Sequence, residues 1–312
     1  MKTNNNNKHP KRRAAILYGS IGLAVCSAGV AAGIVLAKIV KPDQTQYLVD
    51  EVTVDLDAMI ASYQRAKKSG DYSNMKPEEI VNVAYHLFSE EECNYSIGVG
   101  YTIATLGGVR QDIQSRTVKS GNRYFEESNS CGMVNIYDRM FMEGGSTDTY
   151  WGSSPNYGSH EKKTYSNDEY KEMMGRYISS GLIYIVAEGS LQEGPPLSGD
   201  PPTGVTKTSE GYTVEIELNP QKGVTNYQKQ MKSISSLKFL PPFEFCHLTF
   251  YLDEGLNLQK FVTHEKYTAT TSAGFGSPAE GTLTTRYYHN TLPEYGFPEP
   301  NSELPAYPTS LE

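Results

Sequence analysis

The residues best suited to chemistry are six histidines, and their densest grouping is Cys246-His247 with His264-Glu265. A zinc site needs several His, Cys or carboxylate groups converging on one point. Residues 242–252 read as a strand turned back at Asp253-Glu254-Gly255, with Leu252 opposite Leu256. That register puts His247 opposite Phe261 and His264 opposite Glu244. Cys246 and His247 then point to opposite faces of one strand and cannot share an ion. The plainer reading is a cross-strand Glu244–His264 pair among ordinary strand residues. No G-x-S-x-G elbow and no P-loop is present, and Gly98-Val99-Gly100 runs into a strand rather than a phosphate-binding helix. Leu292-Pro293-Glu294-Tyr295-Gly296 resembles a sortase signal, but Tyr295 stands where that signal has Thr, and no apolar run follows. Asn94-Tyr95-Ser96 is a glycosylation sequon. The sequence therefore assigns no catalytic, cofactor or metal residue, and the chain is expected to be non-catalytic.

Both faces of 242–252 are largely apolar, as in a sheet covered on both sides. Leu248, Phe250 and Leu252 are expected to be the packed face. Phe245, His247 and Tyr251, with Phe261 across from them, are the expected ligand-binding residues. Tyrosine is unusually frequent at 23, against 10 Phe and 1 Trp. It suits strands, and it also suits contact surfaces because it joins apolar area to a polar handle.

The elements that must position these residues fall into two series. Apolar spacing predicts helices over 44–69 and 76–92, the second favoured by Pro77, Glu78 and Glu79 in its first turn. Extended runs follow at 94–106, 108–119, 121–129 and 132–142, with breaks tight enough for an antiparallel meander. A helix at 166–180 opens on a Ser166/Glu169 capping box, and a strand is expected at 182–188. The proline-rich 189–210 reads as a loop, 211–218 as a strand, 223–237 as a helix, and 242–252, 256–270 and 279–290 as three strands. Residues 291–312 hold five prolines and little periodicity, and read as a disordered tail. Cys93 and Cys131 fall at opposite ends of the meander, so no bridge between them is expected and the cysteines read as reduced.

Charge divides the chain. Lys and Arg total 28 and Asp and Glu 36, but residues 1–41 carry seven basic groups and no acid, which leaves a net of -15 on the remainder. A body that acidic repels a phosphate backbone, which argues against nucleic-acid binding. Residues 14–37 form a 24-residue stretch without a charge, long enough to cross a bilayer. Five basic residues precede it and two follow, so the amino terminus is expected in the cytoplasm and the body outside. A cleaved signal fits less well because the apolar run continues past Ala28 and Ala31 to Ala37, and Val25 is a poor lead into a lipid-modified Cys26. The expected organisation is a cytoplasmic basic segment at 1–13, a transmembrane helix at 14–37, a helical connector at 42–71, an extracytoplasmic sheet domain at 72–290 and the tail at 291–312.

The charged helix start Met75-Lys76-Pro77-Glu78-Glu79-Ile80-Val81, the Gly107-Gly108-Val109-Arg110-Gln111 turn, the Gly121-to-Phe125 strand and the Tyr212-to-Pro220 run occur in that order. This succession resembles membrane-anchored extracytoplasmic proteins of Gram-positive bacteria with a LolA- and LppX-like lipoprotein-carrier body. The resemblance implies an α+β fold in which a curved antiparallel β-sheet, half-barrel-like, carries helices on one face and encloses an apolar cavity. It implies a lipid or another apolar ligand as partner and transfers no individual site residue. The alternative is an envelope interaction or scaffold protein with a solid core, and a hydrolase with a scattered site ranks third.

Residues 42–312, expressed without the apolar run, are expected to be soluble and folded, because the net charge disfavours association. Co-flotation of that material with lipid vesicles would show that the body itself partitions into membranes.

Overall fold

The computed structural model describes residues 54–311 except 106, 133–134, 235–236 and 271–275; the expected transmembrane helix at 14–37 and most of the connector's first half lie outside the described residues. No helix among the described residues is long and apolar enough to cross a membrane. Helices α1 (Leu56–Lys67) and α2 (Pro77–Glu90) come first. A meander of six strands follows: β1 (Cys93–Ala104), β2 (Val109–Ser120), β3 (Arg123–Cys131), β4 (Ile136–Glu143), β5 (Ser146–Gly152) and β6 (Glu161–Ser166). Helix α3 (Asn167–Met174) leads through a long irregular stretch to β7 (Gly204–Lys207) and β8 (Tyr212–Glu217). Helix α4 (Thr225–Ile234) precedes β9 (Phe243–Leu252), β10 (Leu258–Thr270) and β11 (Gly276–His289).

All eleven strands form one antiparallel sheet in the order β6-β5-β4-β3-β2-β1-β11-β10-β9-β8-β7. The α+β class and the antiparallel sheet agree with the sequence. Gly121 turns β2 into β3 and Gly144 turns β4 into β5, each at positive φ where a side chain would be strained. The second of these hairpins, and with it β5 and β6, has no counterpart in the sequence reading. Ser166 caps α3 as expected: its hydroxyl accepts from the Glu169 amide, and the Glu169 carboxylate accepts from the Ser166 amide.

The helices cover the inner face of the sheet in two blocks. Ile80, Val81, Val83 and Ala84 of α2 are completely buried, and they join Leu248, Phe250, Leu252 and Val214 in the larger apolar cluster. A second cluster, Met140 and Met142 of β4 with Tyr170, Met174 and Ile178, lies under α3 and α4. Residues 182–188 do not form a strand. They cross the inner side irregularly, burying Tyr184 and Val186, while Asn82 donates to the Val186 carbonyl at 2.6 Å and Ile185 donates to Gly223 at 2.8 Å.

Three further expectations are corrected. The β9–β10 loop is longer than a Leu252–Leu256 turn. Asp253 accepts from the amides of Gly255 and Asn257 at 2.8 and 2.9 Å, and buried Leu256 takes φ 63°, so Leu252 pairs with Leu258. The register then puts His247 opposite His264, and Glu244 pairs with Lys266 at 3.0 Å rather than with His264. The tail is not free, because residues 291–311 lie over the sheet face opposite the helices with carbonyl oxygens bonded to Arg116, Arg139 and Arg286. The sequon is closed: Asn94 is buried and its side-chain amide donates to the Phe88 carbonyl at 2.5 Å. Cys93 stands opposite Ser120 and Cys131 opposite Asp112, eight positions apart along β2, or about 26 Å at ~3.3 Å per residue, so the two cannot bridge.

Leu248 is fully buried in the larger cluster. Leu248→Ala is expected to lower unfolding free energy by about 2–5 kcal/mol. Tyr251, at the exposed side of the same strand with Lys260 over its ring, is expected to lose under ~1 kcal/mol on replacement by Ala. Urea unfolding midpoints of the two variants test the face assignment, and equal losses would refute it.

Candidate functional site

The four residues expected to bind a ligand are divided between the two faces. Phe261 belongs to the inner face, where its ring stacks on Phe250 at 4.6 Å within the core. Phe245, His247 and Tyr251 project outward from alternate positions of β9. They do not line an open cleft. The proline-rich segment after residue 191 passes over this face as a strap. The Leu197 and Ser198 amides and the Ser198 hydroxyl donate to Glu217 at 3.1, 3.2 and 2.9 Å, and Asp200 lies 2.6 Å from His264 Nδ1. Beneath the strap, His247 is held between Glu217 at Nδ1 (3.0 Å) and Glu215 at Nε2 (2.8 Å), and Thr249 donates to the same Glu215 oxygen. Phe245 packs edge-on against the His264 ring at 4.8 Å.

The electrostatics of this arrangement are those of a clamp. Burial opposes charge on His247, but hydrogen bonds to Glu215 and Glu217 outweigh it and raise the imidazolium to about 9. His264 shifts in the same direction: burial lowers it, and Asp200 and Glu280 raise it by more. The His247 imidazolium therefore joins two carboxylates of β8, of which Glu217 in turn holds the strap, and the His264 imidazolium links Asp200 of the strap to Glu280 of the sheet. The described residues hold no group of three or more His, Cys, Asp or Glu able to bind a metal ion.

The inner face carries a different set of groups. Glu265 is buried under α4 and accepts from the Tyr184 and Tyr227 hydroxyls at 3.2 and 3.0 Å. Burial raises its carboxyl to about 7, and the two tyrosines only partly counter that. Arg176 makes two 2.7 Å bonds to Glu126, one to each oxygen, where the two helical blocks meet. At the same seam a pocket opens between Tyr85, Phe88 and Ser89 of α2, residues 178–181, and Thr117, Lys119 and Tyr124 on the sheet. Its volume is about 40 Å³, room for a water or two rather than for a whole ligand. Lys119 closes the end of it with bonds to the Ser89 and Glu91 carbonyls. Sequence reasoning missed this seam, since its lining comes from three separate stretches with no shared motif.

No family model matches the sequence, and no curated protein matches it. Among solved structures the chain is similar to a DUF1329 family protein from Desulfovibrio piger, at 9% identity over 69% of this chain and 92% of that one, TM-score 0.26. It is also similar to the Mycobacterium tuberculosis lipoprotein LppX, at 8% identity over 76% and 97%, TM-score 0.26. A third is a Vibrio parahaemolyticus domain described as outer membrane lipoprotein-sorting, at 10% identity over 70% and 94%, TM-score 0.26. The last two are of the kind that the sequence resembles.

Two pH limbs follow from the shifted groups. A raised folded-state value means stability that is complete below the unfolded value and lost as pH climbs through the folded one. Glu265 should therefore cost stability between pH 4.5 and about 7, and His247 between pH 6.5 and about 9. Melting temperature is expected to fall across both windows. Glu265→Gln should flatten the lower limb and His247→Gln the upper one, as read by calorimetry from pH 4 to 10.

Proposed function

We propose that the chain is a non-catalytic binding module, held at the membrane by residues 14–37 with its body outside the cytoplasm. We infer that it takes the chain of a lipid or another apolar ligand between the two helical blocks. The observation that supports this is the division of the inner layer. Helices α1 and α2 cover the larger apolar cluster and α3 the smaller, while α4 gives Tyr227 and Met231 to the first and Ile234 to the second, and a small opening walled by Tyr85, Phe88, Tyr124 and Ile178 lies between α2 and the stretch after α3. Moving the 178–181 stretch away from α2 would widen this opening toward the apolar side chains around it without breaking a strand. Methionines at 140, 142, 173 and 174 line the second block, and their unbranched side chains re-pack readily around different shapes. The outer positions Phe245, His247 and Tyr251 serve the strap in this reading, and Phe261 serves the core.

The small volume of the pocket favours a second reading, an envelope scaffold with a solid core. Native mass spectrometry of the body separates the two. Co-purified lipid, or uptake of a fluorescent fatty acid, is expected, and Ile178→Trp should weaken that uptake at least ~tenfold, a change of about 1.4 kcal/mol. A folded body that carries no lipid and takes up no probe would leave the scaffold reading.

A further inference from the structure

The C-terminal segment 291–311 runs out and back across the outer face of the sheet, and the face beneath it is built to receive it. Directly opposed positions place Arg286 of β11, Ile97 of β1, Arg116 of β2, Glu127 of β3 and Arg139 of β4 in one row on that face. Going out, the segment sets Phe297 against Arg123 at 4.3 Å and offers the Pro300 and Ser302 carbonyls to Arg139 at 2.9 and 2.8 Å. Coming back, the Pro305 carbonyl accepts from Arg116 at 2.8 Å, and the Tyr307 ring lies 3.9 Å from the same guanidinium. The Tyr307 hydroxyl donates to Glu127 at 3.0 Å, and the Leu311 carbonyl accepts from Arg286 at 3.0 Å.

The two partners of this contact are unequal. The side chains of Arg116, Glu127 and Arg139 are only 4–5% exposed. Three charges buried on a sheet surface are costly unless their hydrogen-bonding capacity is met, and the segment meets part of it. The segment itself stays at the surface: of its residues only Pro293, Pro298 and Leu311 are buried. It adds no strand, and its own main-chain bonds are turns, Gly296 to Pro293 and Ser302 to Glu299. What the arginines bind is main-chain carbonyl, which any extended peptide offers and which proline leaves free of a neighbouring N–H. What they stack on is Tyr or Phe.

We propose that the outer face of β2–β4 is a peptide-binding site, occupied here by the chain's own C-terminal segment. It accepts in exchange an extended, proline-containing peptide with Tyr or Phe, supplied by a partner protein. The segment is then a ligand held in cis, and a partner must displace it.

The test uses the full chain with a protease site inserted after Asn290, folded first and then cut. Binding of a labelled peptide of residues 291–311 is measured by fluorescence anisotropy while circular dichroism follows the fold. The cut, washed protein is expected to stay folded and to bind the peptide at least tenfold more tightly than the uncut protein. Arg116→Ala and Arg139→Ala in the cut protein, and Phe297→Ala with Tyr307→Ala in the peptide, should each weaken binding at least tenfold. A cut protein that stays folded and binds no peptide overturns the proposal. So does unfolding on cutting, which would make the segment part of the core, and so does affinity indifferent to the arginines and aromatic rings.

Discussion

The pairing of β1 with β11 is the constraint on which the rest of the structure depends, since it joins two meanders that are each local in sequence into one sheet. Asn94 opposes His289, 195 positions away, and the ladder continues to Ala104 and Ala279. Closing so long a loop costs entropy that local hairpins do not pay. The return comes from a ladder of eleven opposed pairs and from side chains such as Tyr95 and Tyr288, whose rings stack at 4.2 Å. The two strands also need glycine where they meet. A Cβ at Gly100 would fall 2.1 Å from the Thr282 carbonyl, and one at Gly281 would fall 2.6 Å from the Thr102 hydroxyl and 2.8 Å from the Tyr101 carbonyl. Backbone cannot yield as a flexible side chain tip can, so larger residues there would push the halves apart.

One wide sheet presents two faces, and the chain covers them by different physics. The inner face receives helices, and its cover is apolar contact: α2 is buried on nearly all sides between α1 and the β8–β10 strands. The outer face receives no α-helix among the described residues. It is covered by the proline-rich strap over β8–β10, by the C-terminal segment over β2–β4 and β11, and by the β5–β6 connection, whose buried Tyr157 lies over Arg139. The strap and the C-terminal segment are fastened by charge-assisted hydrogen bonds, Glu217 and His264 in the first case and three arginines in the second. Such bonds are directional and individually stronger than neutral ones, so a segment with few apolar side chains can still be held in one place.

The charged groups of this protein are thus mainly fasteners. His247 and His264 sit between carboxylates, Arg176 ties the stretch after α3 to β3 through Glu126, and Arg139 binds both Glu127 and the C-terminal segment. Buried pairs of this kind specify one arrangement more than they add stability, because desolvation offsets most of their attraction.

Much of this was determined by the sequence alone, wherever the signal was local. The first four strands, the Ser166 cap, the α2 start at Pro77 and the packed Leu248/Phe250/Leu252 face follow from spacing, turn residues and alternation. The Gly144-Gly145 turn carried the same kind of signal for β5 and went unread. Tertiary structure alone decided the remainder. Asp253 lengthened a turn and shifted the register of β10, which moved His247 from Phe261 to His264. The stretch 182–188 has strand-like composition yet packs irregularly on the inner face, with Tyr184 and Val186 buried and the Val186 carbonyl held by Asn82. The proline-rich 291–311 has no periodicity at all, and its place is fixed by arginines at 116, 139 and 286 that lie far from it in sequence. Periodicity reports which face of an element is apolar. It does not report which distant carbonyl will satisfy a buried guanidinium, because that partner exists only once the strands are side by side.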